Sequence, residues 1–574
     1  MGDMGGVFSA FLIIIRARRP VGRNLTTEIW TFIWYFKIKV LPLRQTKSDM
    51  GTYINTGNAG FQRVRNSRYV DKSQMISVIN SILNTEKCMS CVTRCRRFGK
   101  SMAAKMLCAY YDQSCDSRHL FEDLKIASNP SFEKHLNKYP VLYIDMTSFV
   151  TRYKDETIVA HINEDVIADV HSAYPDIPLQ NNDDLMALLI RITEATGQSF
   201  FFIIDEWDAI CREFKAGTKA MDDYVNWLRR MFKGGRTAQV FTGVYLTGIL
   251  PIKKYKTESA LNNFTEYSMV NPGRLAGCFG FTKQEVKDLC QEEGGNFDEM
   301  EKWYDGYMIG SEPSIFNPNS VMQALWEGRC RSYWASTGAY DAIASYIQMN
   351  YKGLKDDIIK MLGGGRCKVD PTGFQNDMSI IRTKDDVFTV LIHLGYLGYD
   401  FDTGECFVPN REVDGELVNA IRDTSWQQVI DSINESQELL QAIIDGDEHA
   451  VAKGVDAAHD ENTSILSYNN ENSLACVLTL ALHHAKNDYT FYRELPTGKG
   501  FADLVLMPRK NVNKPAILIE LKCDKSADAA IDQIHRKVYH GKVSQYDGQV
   551  ILVGINYDKE TKKHDCRIEN YAFH

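Results

Sequence analysis

Two short apolar stretches, Phe501-Ala-Asp-Leu-Val-Leu-Met507 and Ala516-Ile-Leu-Ile-Glu-Leu-Lys522, decide how the C-terminal part of the chain folds. Each has the length and apolar content of a buried β-strand. Because side chains alternate faces along a strand, Glu520 and Lys522 project from the same face. A carboxylate and an ammonium group are therefore predicted side by side.

The short polar loop between these stretches, Pro508 to Pro515, predicts their pairing. An antiparallel hairpin with Met507 opposite Ala516 places Asp503 opposite Glu520. Two carboxylates at cross-strand distance repel each other, so a sheet gains nothing from this pair unless a cation lies between them. The register therefore predicts a cation site at this end of the hairpin.

Magnesium fits this predicted site, because it needs only a few hard oxygen ligands and keeps several water molecules. Lys522 can then orient or deprotonate a metal-bound water and help neutralise charge on a phosphoryl group. The alternative is a strand whose solvent-facing side happens to carry Asp, Glu and Lys. These three residues alone leave both interpretations open.

Asp503 followed by Glu520-Leu-Lys522 resembles the signature of the PD-(D/E)xK nuclease superfamily, and the flanking sequence fits the same family. A helix is expected to open at Glu471, and Gln533 lies in a helical stretch downstream. The resemblance implies that Asp503 and Glu520 hold the metal ion. It also implies that Lys522 serves the attacking water and Gln533 supports the site, with Glu471 as a further candidate.

A phosphate-binding loop is predicted upstream, in the first third of the chain. A strand over Cys88 to Thr93 is followed by Arg94-Cys-Arg-Arg-Phe-Gly-Lys-Ser101 and then by a helical stretch from Met102 to Tyr110. In this context, backbone N–H groups at the helix start bind phosphate oxygens. Lys100 is expected to reach the outer phosphates, and Ser101 to offer its hydroxyl to magnesium.

The loop departs from the usual form, because Arg94 stands at its first glycine position while Gly99 keeps the second. Arg94, Arg96 and Arg97 add positive charge around it. Guanidinium groups pair well with phosphate oxygens, so we expect at least one of the three to contact phosphate, and we assign Arg97 to the nucleotide. Alternatively, the arginines pair with Asp205 or Asp208.

An acidic pair at the end of a second strand supports a nucleotide site. Ser199-Phe-Phe-Phe-Ile-Ile204 has the pattern of a buried strand and runs into Asp205-Glu-Trp-Asp208. Asp205 is expected to hold magnesium through water, and Glu206 to polarise the attacking water. A lone Asp-Glu pair is common at strand ends, and the phosphate loop upstream is what favours the functional interpretation.

Two more apolar stretches complete the predicted sheet. A strand over Gln239 to Gly248 places Thr247 where a sensor of the terminal phosphate is expected, and Val141 to Asp145 is a further strand. Apolar strands that alternate with helical stretches indicate a parallel sheet, whose ligand binds at the carboxyl ends of the strands. The predicted fold class is therefore α/β, with a P-loop ATPase that binds ATP.

These motifs resemble the AAA-ATPase-like family that is found fused to PD-(D/E)xK domains. Tyr69-Val-Asp-Lys-Ser73 and Leu261-Asn-Asn263 are further matches. The chain departs from the family pattern at Cys95, where a proline is usual, and at Trp207, where a tyrosine is usual. The resemblance covers nearly all of the chain from about Phe61 onward and implies a fold and an activity, but not a biological substrate.

The region between the two predicted domains is expected to be mainly helical after a capped helix start at Thr282. A helix over Asp385 to Leu394 followed by a hairpin that turns at Asp402-Thr-Gly404 resembles a winged helix, for which we favour domain packing over DNA contact. Residues 412–465 are expected to be helical, with a hinge at Ala457 to Thr463.

The predicted organisation is an N-terminal extension over 1–49, an ATPase domain over 50–280, a helical and winged-helix-like region over 281–465, and a restriction-endonuclease-like α/β domain over 466–574. The extension contains two apolar runs, Val7 to Ile15 and Ile29 to Phe36, both short of the roughly 20 residues of a membrane helix. We expect it to be poorly ordered or peripheral, with a membrane-surface anchor as the alternative.

The composition of the 574-residue chain is that of an ordinary globular protein. Its formal charge of -8 argues against a surface coated with positive charge. The 14 cysteines are scattered, which is typical of reduced thiols in the cytoplasm. Cys88 and Cys91 have the spacing of half a zinc site, but buried strand cysteines are the favoured interpretation.

Three functional hypotheses follow. The first is an ATP-binding and hydrolysing protein coupled to a magnesium-dependent nuclease that cleaves DNA, without stable membrane insertion and with homo-oligomer formation as an option. The second is a nucleotide-dependent regulatory or interaction protein whose nuclease fold is inactive. The third is an ATPase in DNA transactions, with cleavage incidental to its role.

Overall fold

The computed structural model describes residues 51–571 except 181–183, 215–217, 253, 256–257, 260, 335–339, 350, 375–380, 423–426, 463–470, 497–500, 510–511 and 537–547. The N-terminal extension lies outside the described residues, so the expectations for 1–49 stay predictions. From Thr52 to His574 the chain forms one unit.

The first part of the described chain is built on a parallel five-stranded sheet with the order β2-β3-β4-β1-β7, which confirms the predicted α/β class. Its strands are β1 (Met89–Thr93), β2 (Val141–Asp145), β3 (Phe200–Asp205), β4 (Phe241–Gly248) and β7 (Thr265–Tyr267), and a small hairpin consists of β5 (Lys254–Tyr255) and β6 (Glu258–Ser259). The sequence analysis did not predict β7.

Helices in this part are α1 (Ala59–Arg65), α2 (Gln74–Asn80), α3 (Lys100–Tyr111), α4 (Phe132–His135), α5 (Met146–Arg152), α6 (Ile158–Ala173), α7 (Leu185–Thr196), α8 (Ala209–Glu213), α9 (Lys219–Phe232) and α10 (Thr237–Val240). The strand predicted to begin at Gln239 begins at Phe241 instead, because Gln239 and Val240 belong to α10.

Strand β3 shows why this sheet needs apolar residues at consecutive positions. Phe200, Phe202 and Ile204 join the hydrophobic core on one face of the sheet. Phe201 and Ile203 join a second core on the other face, together with side chains of α3. A strand covered on both faces has no solvent-facing side, so the usual alternation with polar residues is absent.

The middle region combines helices with two small antiparallel sheets, of order β8-β10-β9 and β11-β13-β12. Its strands are β8 (Phe281–Thr282), β9 (Tyr307–Ile309), β10 (Glu312–Phe316), β11 (Cys367–Lys368), β12 (Gly398–Asp400) and β13 (Glu405–Phe407). Its helices are α11 (Lys283–Glu293), α12 (Phe297–Tyr304), α13 (Pro318–Glu327), α14 (Tyr340–Gln348), α15 (Leu354–Leu362), α16 (Lys384–Leu394) and α17 (Arg411–Arg422).

Two predictions for the middle region are confirmed. Thr282 and Glu285 form a capping box at the start of α11. The expected helix and hairpin are α16 and the β12–β13 pair, joined to β11 in one sheet. Their packing into a shared core agrees with the predicted packing role.

The C-terminal part contains a five-stranded sheet of order β14-β15-β16-β17-β18, in which only β16 and β17 run parallel. Its elements are α18 (Gln427–Asp445), α19 (Glu448–Asn462), α20 (Glu471–Ala481), β14 (Tyr489–Pro496), β15 (Phe501–Pro508), β16 (Ala516–Cys523), α21 (Ala527–Arg536), β17 (Val550–Asp558) and β18 (Lys563–Tyr571). Leu504 lies opposite Ile519 and Leu506 opposite Ile517, which confirms the predicted hairpin register.

The predicted hinge at Ala457 to Thr463 is wrong for its described part, because α19 continues as a helix to Asn462, and Thr463 lies outside the described residues. Leu439 and Ile443 of α18 share one hydrophobic core with Val455 of α19 and with the C-terminal sheet. A hinge needs few packing contacts, and this segment is anchored by a core.

Candidate functional site

A cavity of about 810 Å³ lies where the loop after β1 meets the start of α3. Gly99, Lys100 and Ser101 line it, and so do Arg97 of the same loop and Glu206 after β3. The volume is in the range of sites that enclose small-molecule ligands. Five residues that the sequence assigned to the nucleotide site therefore surround one cavity.

The loop reaches the helix through two left-handed residues. Gly99 has φ +87° and Arg97 has φ +68°, and left-handed backbone favours glycine. Gly99 is the N-cap of α3, and because glycine has no side chain, it makes no side-chain hydrogen bond to the first N–H groups of the helix. Those N–H groups and the positive end of the helix dipole suit an anionic ligand such as a phosphate.

Lys100 is held beside Glu206. Only 4% of Lys100 is exposed, its Nζ donates to the carbonyl oxygen of Cys95 at 3.1 Å, and it lies 3.7 Å from Glu206 Oε1. Glu206 adopts a left-handed backbone with φ +52°. A non-glycine residue in this conformation is strained, and such strain is common at functional sites.

Asp205 ends β3 in a buried position, with 2% of its surface exposed. Tyr143 donates its O–H to Oδ2 at 3.2 Å, and the Glu206 N–H donates to Oδ1 at 3.0 Å. Burial raises the pKa of Asp205 to about 6, although a hydrogen bond from Ser101 opposes the rise. The carboxyl group sits near Ser101, as a shared magnesium site requires.

Thr247 lies opposite Asp205 on one side and opposite Val92 of β1 on the other. It is fully buried at the carboxyl end of the sheet. The position is the one that the sequence assigned to a sensor of the terminal phosphate, and that role stays a prediction.

The arginines of the loop have different surroundings. Arg94 is fully buried and donates to the carbonyl oxygens of Tyr267 and Leu275, so it anchors the loop instead of lining the cavity. Burial lowers its pKa to about 10. Arg97 lines the cavity and donates from Nη1 to the Tyr333 carbonyl oxygen at 2.7 Å.

Arg212 is a charged residue of the cavity that the sequence analysis did not assign. Its Nη2 donates to Glu206 Oε2 at 2.5 Å, and its Nε lies 3.3 Å from Asp208 Oδ2. The signal available in the sequence was the i,i+4 spacing from Asp208, which places an aspartate and an arginine on one helix face.

The second candidate site is centred on Glu520, of which 1% is exposed. Lys522 donates from Nζ to Glu520 Oε1 at 3.1 Å and to the carbonyl oxygen of Leu521 at 2.8 Å. Gln533 of α21 donates from its side-chain amide to the same Glu520 oxygen. Three of the residues expected in the nuclease site are therefore brought together.

Asp503 lies on the neighbouring strand, where its Oδ2 accepts a hydrogen bond from the Leu521 N–H at 2.8 Å. The Leu504–Ile519 register continues to Asp503 and Glu520 as neighbours across the hairpin. Glu471 is the first residue of α20, and its side chain lies outside the described residues. Its proposed part in the site stays a prediction.

The donor set suits magnesium with substrate oxygens as additional ligands. Within the ranges that the structure describes, no group of three or more His, Cys, Asp and Glu side chains is arranged to hold a metal ion. Asp503 and Glu520 offer two carboxylates, and magnesium is commonly held by one or two carboxylates plus phosphate oxygens and water. The pair fits that role, while a metal site complete without substrate is not formed by the described residues.

Helix α17 connects the nucleotide loop to the C-terminal part. Glu412, of which 1% is exposed, accepts hydrogen bonds from the N–H groups of Tyr333 and Trp334 at 2.6 and 3.0 Å. Tyr333 is the residue whose carbonyl oxygen binds Arg97. A single residue, Tyr333, therefore links the arginine of the loop to a buried carboxylate of α17.

The same helix contacts the C-terminal part through Asp414. Its Oδ1 lies 2.8 Å from Lys486 Nζ, and its Oδ2 lies 2.8 Å from His483 Nε2. Burial opposes ionisation, but Lys486 and His483 hold the pKa of Asp414 well below its usual range. The ion pairs join α17 to the segment that directly follows α20.

Comparison with known proteins identifies the two domain classes. Residues 56–257 match the family model described as predicted AAA-ATPase, and residues 469–566 match the PD-(D/E)XK nuclease superfamily. The chain thus combines an AAA-ATPase-like domain with a C-terminal nuclease-superfamily domain, as the sequence motifs predicted. Among the described residues, no helix has the length and apolar content to cross a membrane.

Individual relatives are distant. The chain is 23% identical over 251 residues to an uncharacterized protein in the vnfD 5' region of Azotobacter chroococcum mcd 1, an alignment that covers 43% of this chain and 47% of that protein. The chain thus spans about half the length of the curated relative it matches. Solved structures include the Walker-type ATPase PABY2304 of Pyrococcus abyssi, with 11% identity, TM-score 0.30 and coverage of 60% of this chain and 94% of that one. Another is the ORC2 protein of Aeropyrum pernix in its ADPNP–ADP complexes, with 10% identity, TM-score 0.29 and coverage of 63% and 98%.

Proposed function

We propose that this protein binds and hydrolyses ATP and that nucleotide binding controls a magnesium-dependent nuclease that cleaves DNA. The observation that carries the proposal is the buried group around Glu520, in which Lys522 and Gln533 contact one carboxylate oxygen and Asp503 lies on the adjacent strand. A sheet needs no such group for stability, because burying charges costs more than apolar packing.

In the nuclease reaction, Asp503 and Glu520 would hold a magnesium ion. When bound, the ion supplies a Lewis acid for the phosphodiester and a more acidic water. As an ammonium group, Lys522 would orient the attacking water and balance negative charge on the phosphoryl group. As a neutral amine it would instead accept the proton of that water. Gln533 fixes the Glu520 carboxylate through its amide and keeps the oxygens directed towards the metal site.

In the ATPase reaction, Lys100 and the N–H groups at the start of α3 would bind the phosphates. Ser101 and Asp205 would hold magnesium, which offsets phosphate charge when bound. Glu206 is the group that polarises the attacking water, and Thr247 is the sensor of the terminal phosphate. Arg97 adds positive charge to the same cavity.

Coupling between the two sites would run through the middle region. Cys95 and Phe98 of the nucleotide loop belong to the hydrophobic core of that region, and Phe98 packs edge-on against Tyr307. Helix α17 then contacts the C-terminal part through the Asp414 ion pairs. A shift of the loop on nucleotide binding therefore has a packed route to the nuclease, which is the kind of contiguous element that coupling requires.

The test is cleavage of plasmid and single-stranded DNA by the full chain with magnesium, with and without ATP. Asp503→Asn and Lys522→Ala should abolish cleavage but leave ATP hydrolysis intact, whereas Lys100→Ala should abolish hydrolysis. Lys525→Ala, three residues beyond the site lysine, is the matched control and should cleave normally. Cleavage that survives both nuclease-site variants would refute the assignment.

The same experiment separates the alternatives. ATP binding without cleavage under any metal would favour a regulatory protein with an inactive nuclease fold. DNA-stimulated ATP hydrolysis without specific cleavage would favour an ATPase in DNA transactions. The domain limits at 50–280, 281–465 and 466–574 and the cytoplasmic location remain proposals that rest on the motifs and on the scattered cysteines.

A further inference from the structure

Arg212 lies in the nucleotide cavity at the end of α8, between two carboxylates. Its Nη2 donates to Glu206 Oε2 at 2.5 Å, and its Nε lies 3.3 Å from Asp208 Oδ2. The side chain lines the same cavity as Gly99, Lys100 and Ser101. The guanidinium group of Arg212 therefore has two carboxylate partners, which differ in burial and in their hydrogen bonds.

Asp208 is the fixed partner. It is fully buried, and its carboxylate accepts hydrogen bonds from the N–H groups of Ile249 and Leu250, which follow β4. Two backbone donors hold this carboxylate in place. Arg212 follows Asp208 by four residues, which places the two side chains next to each other on one helical turn. Arg212 is therefore anchored at one side whatever its other nitrogens bind.

Glu206 is the partner that can be exchanged. Its Oε1 lies 3.7 Å from Lys100 Nζ while its Oε2 accepts from Arg212, so one carboxylate spans two cations. It is also the more accessible carboxylate, with 21% of its side chain exposed against 0% for Asp208. Its left-handed backbone is strained, as is common at functional sites.

A terminal phosphate suits the same two cations better than the carboxylate does. It carries more negative charge and three oxygens, and arginine pairs with phosphate through two nitrogens at once. Lys100 is already assigned to the outer phosphates by its position at the start of α3. An anion that replaces Glu206 beside Lys100 also comes within reach of Arg212.

We infer that Arg212 binds the terminal phosphate of ATP and that it gives up the Glu206 carboxylate to do so. This inference rests on the proposed ATPase function. Glu206 contacts both cations in this structure, and the terminal phosphate of ATP, which ADP lacks, displaces it from them. The exchange also frees the Glu206 carboxylate oxygens to accept a hydrogen bond from the attacking water. The site thereby senses the terminal phosphate through a residue outside the phosphate loop.

The test compares the dissociation constants of a non-hydrolysable ATP analogue and of ADP, each with magnesium, for the full-length protein. Arg212→Ala should weaken the analogue about 10- to 100-fold, the loss of one charge-assisted pair, and change ADP by less than about 2-fold. Arg212→Lys, which keeps the charge, should recover part of the discrimination. Arg118→Ala removes an exposed pair with Glu133 in the same part of the chain and should change neither constant.

Glu206→Gln provides the second measurement, because it removes the competing anion. It should tighten binding of the analogue several-fold in the wild-type background and clearly less in the Arg212→Ala background, where only the Lys100 contact remains to be freed. The inference is refuted if Arg212→Ala weakens both nucleotides equally or neither, or if Glu206→Gln acts alike in the two backgrounds. Failure of the wild-type protein to bind either nucleotide would refute the proposed function itself.

Discussion

Burial of the Asp205 carboxylate lowers the free energy of unfolding of the protein at neutral pH, and this effect can be measured. This carboxyl group is buried at the end of β3, and burial raises its pKa from an ordinary value of 3.8 to about 6. A shift of about 2 units corresponds to roughly 3 kcal/mol at 1.36 kcal/mol per unit. Asp205→Asn removes the charge, so this variant should be more stable than the wild type at neutral pH.

The pH dependence follows from the direction of the shift. Below about pH 4 the carboxyl group is protonated in the folded and the unfolded chain, and the cost is absent. Between about pH 4 and 6 only the unfolded chain ionises, so the wild type loses stability as pH rises. Above about pH 6 both states are ionised and the full cost of about 3 kcal/mol remains.

Hydrogen bonding reduces the expected gain. The Tyr143 O–H and the Glu206 N–H donate to different oxygens of Asp205. Asparagine keeps one of these oxygens and replaces the other with an amide nitrogen, which cannot accept, so one of the two hydrogen bonds is lost. We therefore expect a net gain of about 2 kcal/mol, or roughly 4 to 8 °C in the unfolding midpoint of a domain of this size. Magnesium and ATP should stabilise the wild type more than the variant, since the variant lacks the carboxylate charge that would hold the metal.

Calorimetric unfolding from pH 4.5 to 8 measures the effect, and amide hydrogen exchange in β3 and β4 assigns it to this domain. Asp184→Asn is the control, because it replaces the N-cap of α7 with another good capping residue. The reasoning is refuted if Asp205→Asn is less stable than the wild type at pH 8, or if the difference between them is independent of pH.

Three other substitutions test the packing around the two sites. Asp414→Asn leaves its half-buried lysine and histidine partners without a carboxylate and should cost about 1 to 3 kcal/mol, measured by urea unfolding. It should also uncouple nuclease activity from ATP, and ATP-dependent cleavage at wild-type level would contradict the role of α17. Gly248→Ala should destabilise by about 1 to 3 kcal/mol and weaken ATP binding, because its Cβ meets Asp208 and lies 2.7 Å from Trp207 Cδ1. Gly415→Ala, in the interior of α17 with no atom near its Cβ, should instead stabilise by about 0.5 to 1 kcal/mol, and a loss of thermal stability would show that the helix is more crowded than described.

The sequence alone predicted the central strands of both sheets and the order of their motifs, but not β7 or β14. Consecutive apolar residues in β3 indicate a strand covered on two faces, because no polar position is left for solvent. The hairpin register follows from the loop length and from the period of two along a strand, so the sequence predicts Asp503 and Glu520 as neighbours. The observed pairing of Leu504 with Ile519 agrees with that register. Local patterns carry this information because strand period and loop length are local properties.

Only the tertiary structure decided which side chains meet over long distances. Arg94 and Arg97 are close in sequence, yet one anchors the loop to Tyr267 while the other lines the cavity. The contacts of α17 with Tyr333 and with Lys486 join segments that are more than 70 residues apart. Such contacts depend on how whole elements pack, and the spacing of residues along the chain does not encode them.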